Sequence, residues 1–134
     1  MASTTNTLQP VSVPAEKALF GDPKYTVIDT GTNAALAATF TPSGNNAVAR
    51  MFSVGYSLSA APATALTLTV KDGTTVIWQH EISVSAPFFG FFTFDKRPLR
   101  ASVGAALSAN IGAPGVGIVG TVCWEGDTIV NSQG

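Results

Sequence analysis

The sequence predicts an all-β protein built as a sandwich of two antiparallel sheets. Short apolar or alternating runs recur at intervals of roughly ten residues, separated by Gly, Pro, Asn and Ser. No stretch shows the sustained 3.6-residue period that an amphipathic helix requires. About eight strands favour a jelly-roll-like arrangement, and an immunoglobulin-like sandwich is the alternative.

The chain divides into an N-terminal arm and one domain. Residues 1–22 are rich in Thr, Ser, Pro and Ala, and Pro10 and Pro14 favour an extended backbone. Residues 23–134 are predicted to form a single β-sandwich domain. The arm also carries scattered apolar side chains: Leu8, Val11, Val13, Leu19 and Phe20. We expect these to lie along a neighbour, with a disordered tail as the alternative.

The first three predicted strands cover residues 24–30, 35–40 and 47–59. Loop residues in "TPSGNN" separate the second from the third. The third strand contains "AVARMFSVGYSL". Simple alternation puts its large apolar side chains on one face, interrupted only by Arg50; they are Val48, Phe52, Val54, Tyr56 and Leu58.

A hairpin is predicted in "LTLTVKDGTTVIW", with strands over residues 65–71 and 74–84. Asp72-Gly73 is a strong hairpin signal. A two-residue loop would place Ile77 beside the leucine face. A three-residue loop over 71–73, with Gly73 in the left-handed conformation, is preferred, because it buries one apolar set. That set is Val76, Trp78, Ile82 and Val84.

The next strand, residues 88–95, is rich in phenylalanine on both faces. Alternation places Phe88, Phe92 and Phe94 on one face and Phe89 and Phe91 on the other. One core cannot cover both faces. We therefore predict that Phe89 and Phe91 lie at an interface with another copy of the chain or a partner, and that the protein is a homotrimer.

The last two strands are predicted over 105–111 and 115–125.

Charge and cysteine content exclude several classes of function. Charged residues make up 11% of the chain, against roughly 25% in a typical soluble domain. The net charge is −1 and no basic cluster exceeds Lys96-Arg97, so no nucleic-acid partner is predicted. A single cysteine, Cys123, excludes an internal disulfide framework. No signal peptide or membrane-spanning run is recognisable, which predicts a soluble, non-secreted chain with no membrane partner.

The sequence contains no convincing reaction centre. "GVGIVG" matches a dinucleotide-binding motif in its letters, but the β-branched residues after it do not predict the helix that such a motif opens. Alternation places His80 and Glu81 on opposite faces of a strand, so they cannot act together on a serine. Glu125 and Asp127 are too few for a calcium site. We predict no catalytic, cofactor or metal site, and no enzymatic activity.

Residues 64–127 resemble small structural proteins of tailed bacteriophages. The resemblance rests on the hairpin ending in "TVIW", the aromatic strand leading to "RPLR", and "GAALSANIGAPGVGIVGTVCWEGDT". It implies a capsid decoration, or cement, protein: a small β-domain, often trimeric, that clamps the major capsid protein from outside. Such a protein is made in the host cytoplasm and resides on the virion surface. The alternative is a receptor- or carbohydrate-binding module of a phage fibre or spike, with Trp124, Glu125 and Asp127 as its binding place.

Overall fold

The computed structural model describes residues 24–85, 87–94 and 96–130, which form two packed antiparallel sheets. These residues contain no helix. The strands are β1 (Tyr25–Thr32), β2 (Leu36–Phe40), β3 (Ala47–Leu58), β4 (Leu66–Asp72), β5 (Thr75–Ile82), β6 (Phe89–Thr93), β7 (Leu99–Arg100), β8 (Leu107–Ile111) and β9 (Val119–Val130). All eight predicted strands are present, and the two-residue β7 was not predicted.

The strand order identifies the sandwich as a jelly roll. Sheet A has the order β1-β9-β3-β6, with β7 also pairing with β3, and sheet B has the order β2-β8-β4-β5. The chain thus moves to the other sheet between β1 and β2. In an immunoglobulin-like sandwich the first two strands share a sheet. The predicted antiparallel sandwich is therefore confirmed, and its strand order is that of the jelly roll, not of the immunoglobulin-like alternative.

Trp124 on β9 lies at the centre of the core between the sheets. Its side chain is 1% exposed, and its indole Nε1–H donates a hydrogen bond to the Ala38 carbonyl oxygen on β2 over 2.8 Å. This bond gives the buried indole its polar partner and links the two sheets directly. The largest buried side chains around it include Met51, Val54, Leu68, Ile82, Leu107 and Val122.

The β1 and β2 strands close one side of the sandwich. The rings of Tyr25 and Phe40 stack with centroids 4.2 Å apart. The Ala37 backbone N–H on β2 donates to Asp29 Oδ2 on β1 over 2.9 Å. A donor at the edge of β2 is therefore satisfied by a side chain from the other sheet.

Aromatic side chains close the other side, between β5 and β6. Trp78 and His80 project from β5 toward Phe92 on β6 and Phe94 just after it. The Trp78–Phe92 centroid distance is 5.2 Å, Trp78–Phe94 is 5.4 Å and His80–Phe92 is 4.6 Å. Phe88, Phe92 and Phe94 pack against the core as alternation predicted.

A bulge in β3 reverses part of the predicted face. The register with β9 shifts between Met51 and Ser53, so Phe52 is an extra residue. Met51 is consequently in the core, while Phe52 lies on the outer face beside Arg50. The prediction that Phe52 shares the core face of Val54, Tyr56 and Leu58 is wrong, because simple alternation ignores the extra residue. Val48, predicted on the same face, is buried, at 1% exposed.

The hairpin also differs from both predicted registers. Asp72 pairs with Thr75 across a two-residue turn, Gly73–Thr74, and the register shifts again so that Val70 faces Trp78. Gly73 has a φ of +63°, which confirms the left-handed conformation. Trp78 and Ile82 turn toward the core as predicted. The predicted burial of Val76 and Val84 is wrong, since both are about half exposed.

Replacing Gly73 with Val should destabilise the fold through backbone strain. The site has open space for a side chain but a positive φ, and a β-branched residue there costs at least about 1 kcal/mol. Gly73→Asn is the matched control, since asparagine tolerates this conformation far better. Urea unfolding should show the larger loss for Gly73→Val, whereas equal losses would contradict a strained turn.

Candidate functional site

The outer face of sheet A carries two uncharged rows of residues that run across all four main strands. One row is Ile28, Cys123, Gly55 and Phe91, and the next is Thr30, Thr121, Ser57 and Phe89. Residues paired across antiparallel strands point to the same side of a sheet. We call these eight residues the apolar outer face.

Phe89 and Phe91 form a raised ridge at one end of the apolar outer face. They are 68% and 67% exposed, and Ile28 at the opposite end is 63% exposed. Such exposure is unusual for two adjacent aromatic side chains on a monomer surface. The predicted placement of both phenylalanines away from the core is therefore confirmed, and their role at an interface stays a prediction.

A shallow groove of about 280 Å³ runs along the foot of this ridge, lined partly by Gly55, Thr121 and Cys123. A Cβ on Gly55 would lie 3.2 Å from the Phe91 ring. Because Gly55 has no side chain, the Phe91 ring can pack close to the backbone of β3. Thr30 and Thr121 hydroxyls lie within hydrogen-bond distance, at 3.2 Å. The groove floor thus consists of small side chains.

The remaining part of the outer face is charged and is arranged around an ion pair. Arg50 Nε and Nη2 donate to the two carboxylate oxygens of Asp127, each over 2.8 Å. This hydrogen bonding raises the pKa of Arg50. The Arg50 guanidinium and the Lys24 ammonium both lie over the Phe52 ring, at 5.1 and 5.3 Å from its centroid. Charge is therefore segregated from the apolar outer face.

The other predicted interface residues, Leu8, Val11, Val13, Leu19 and Phe20, lie outside the described residues. The proposed glycan-binding place does not come together as one surface. Trp124 is buried, Asp127 is occupied by Arg50, and only Glu125 is exposed.

A second depression, of about 390 Å³, lies where the edges of β5 and β6 approach each other. His80, Glu81, Ser83 and Ser85 contribute to its lining, together with Tyr56 and β6 residues. His80 contacts aromatic rings there, and burial raises the pKa of the Tyr56 phenol. Among the described residues, no serine hydroxyl donates to His80, so a nucleophile–base pair is not assembled.

In the part of the chain that the structure describes, no three His, Cys, Asp or Glu side chains are grouped to bind a metal ion. None of its segments forms a helix of the length and apolarity needed to cross a membrane. In "GVGIVG", Gly115 and Gly117 have positive φ angles and the chain then enters β9.

No family model, curated protein or solved structure matches the chain.

Sequence reasoning found the ridge but missed the rest of the apolar outer face. β1 carries apolar side chains on both faces, with Val27 inward and Ile28 outward, so alternation alone could not select the exposed one. Gly55 and Cys123 gave no sequence signal either, because small residues suit both a core and a surface.

Phe89 and Phe91 should contribute little to the stability of the isolated subunit. We expect the double substitution Phe89→Ser, Phe91→Ser to change the free energy of unfolding by less than about 1 kcal/mol. Phe92→Ser on the same strand should cost about 3 kcal/mol, because it opens the aromatic packing against Trp78. Denaturant unfolding of dilute protein measures both, and a comparable loss in the two variants would contradict the assigned faces.

Proposed function

We propose that this protein is a structural virion component that decorates the outside of a phage capsid and binds across neighbouring shell subunits. The observation that carries the proposal is the apolar outer face, which leaves Phe89, Phe91 and Ile28 exposed on one uncharged surface. The resemblance of residues 64–127 to phage decoration proteins supplies the partner, the major capsid protein.

The mechanism would be adhesion by burial of surface rather than chemistry. Covering each ridge phenylalanine contributes roughly 2 kcal/mol. A symmetric homotrimer presents three copies of every contact, and linked weak contacts give much tighter binding than one subunit alone. The scarcity of charge fits this role, since desolvating few charged groups lowers the cost of forming large contacts.

The alternative, a receptor- or carbohydrate-binding module, receives less support from the geometry. Sugar-binding sites commonly pair an exposed aromatic ring with carboxylate or amide groups. The two rows of the apolar outer face contain hydroxyl groups but no carboxylate or amide side chain. Trp124 is buried.

The proposal predicts binding to capsids assembled without this protein. The full-length chain should run as a trimer in light scattering at micromolar concentration and should co-sediment with empty expanded capsids of its phage. Phe89→Ser, Phe91→Ser should weaken capsid binding at least tenfold, about 1.4 kcal/mol. Lys71→Ser, on the outer face of the other sheet, is the matched control and should bind normally.

Two results would overturn the proposal. One is a full-length protein that fails to bind the capsids, especially if it binds a host-surface glycan instead. The other is equal capsid binding by the double serine variant and the wild-type chain, which would remove the apolar outer face from the mechanism.

A further inference from the structure

The free edge of β6 exposes unused backbone hydrogen-bonding groups. The Leu58 N–H donates to the Phe88 carbonyl, and the Phe94 N–H donates to the Phe52 carbonyl. Bonded and non-bonded pairs alternate along an antiparallel ladder. The N–H and C=O groups of Phe89, Phe91 and Thr93 therefore point away from β3, and no described residue bonds to them.

The edge strands β2 and β5 of the other sheet carry features that protect them, whereas β6 carries none. The Ala37 N–H at the edge of β2 is bonded to Asp29 on β1. The edge strand β5 has a register shift near Ile77 and carries Glu81. Bulges and charges are the usual devices that prevent an edge from accepting another strand. β6 has an unbroken register and contains no charge and no proline.

The N-terminal arm contains a segment whose pattern matches this edge. In "QPVSVP", residues 9–14, the prolines occupy positions 10 and 14 and the valines positions 11 and 13. Proline is tolerated in an edge strand where its nitrogen faces solvent. If the backbone groups of residues 9, 11 and 13 bond to β6, both prolines occupy positions whose backbone nitrogen faces solvent. No hydrogen bond between the two strands is then lost.

One antiparallel register also matches the side chains. It pairs Val11 with Phe91 and Val13 with Phe89, leaving Gln9 opposite Thr93. Paired residues project from the same face of a sheet. Both valines would then lie beside the phenylalanine ridge on the same outer face, and aromatic–β-branched pairs across strands are favourable.

We assign the arm to a neighbouring subunit because the proposed function includes self-association. β1 and β6 are the opposite edges of sheet A, about 14 Å apart over three strand spacings. Within one subunit the segment would have to cross the whole sheet and then turn along β6. Residues 14–23 span at most about 36 Å, which suffices for that path and also for reaching a neighbour placed beside β1, so the donor chain is identified by the disulfide test below. Repetition of a head-to-tail contact forms a ring when the rotation between subunits closes and a filament when it does not, and the proposed trimer requires closure.

We propose that residues 9–14 of one subunit add a strand to the β6 edge of the next subunit. This inference rests on the self-association included in the proposed function, but not on binding to a capsid. It names the occupant of the β6 edge as a second copy of this chain and makes the arm the connection that holds the ring together.

Proline substitutions test the backbone pairing with a matched control. Val11→Pro removes an N–H that the added strand directs at β6, and it should raise the dissociation constant of the oligomer at least tenfold. Ser12→Pro removes an N–H that faces solvent, and it should change that constant less than threefold. Sedimentation of full-length proteins over a concentration series measures both. Equal effects of the two substitutions, or no effect of either, would overturn the pairing.

Disulfide trapping tests the register and the identity of the donor chain. In a Cys123→Ser background, Val11→Cys with Phe91→Cys should cross-link under diamide, since paired Cα atoms lie about 5.5 Å apart. Ser12→Cys with Phe91→Cys is the control and should cross-link at least tenfold less. Denaturing gels without reductant should show multimers. Intramolecular disulfides alone, equal trapping of the control, or no trapping would each overturn the proposal.

The two proposals fail separately. Trapped multimers that do not bind capsids would leave the arm exchange intact and remove the decoration function. Capsid binding by a chain that shows no trapping and no effect of Val11→Pro would leave the function intact and remove the arm exchange.

Discussion

The burial of Trp124 between the sheets is the constraint on which the rest of the structure depends. Its indole fills the centre of the core and donates a hydrogen bond to Ala38 on the facing sheet. Because side chains alternate along a strand, an inward Trp124 requires an outward Cys123. Gly55 pairs with Cys123, and Phe91 pairs with Gly55, so these two residues also face outward. The core packing therefore dictates which residues form the apolar outer face.

The same alternation divides the five residues of β6 between a face that packs in the core and a face that is exposed. Phe92 packs inward against Trp78 and helps close the side of the sandwich between the sheets. Phe89 and Phe91 project outward, and their backbone groups face the open edge. One short strand thus contributes to folding with one face and leaves its other face and one edge exposed, which is the surface that we propose for association. This division explains why the strand is phenylalanine-rich throughout.

The sequence predicted what depends on alternation within a strand and missed what depends on irregular pairing. Positions of eight strands and both faces of β6 followed from apolar periodicity and Gly/Pro breaks. The register shifts near Phe52 and Ile77 left no comparable signal, although each reverses a face. Ile28 belongs to the apolar outer face because it pairs with Cys123, and apolar periodicity does not indicate that pairing. That surface is formed by four strands distant in sequence.

Residue-resolved hydrogen exchange of the full-length protein tests the central claim, that the outer face and edge of β6 are an association surface. The amides of Phe89, Phe91 and Thr93 face away from β3, whereas those of Gly90 and Phe92 are paired with it. The account predicts that the first set becomes protected as protein concentration rises, while the second set is protected throughout. Rapid exchange of Phe89, Phe91 and Thr93 at every concentration would contradict it.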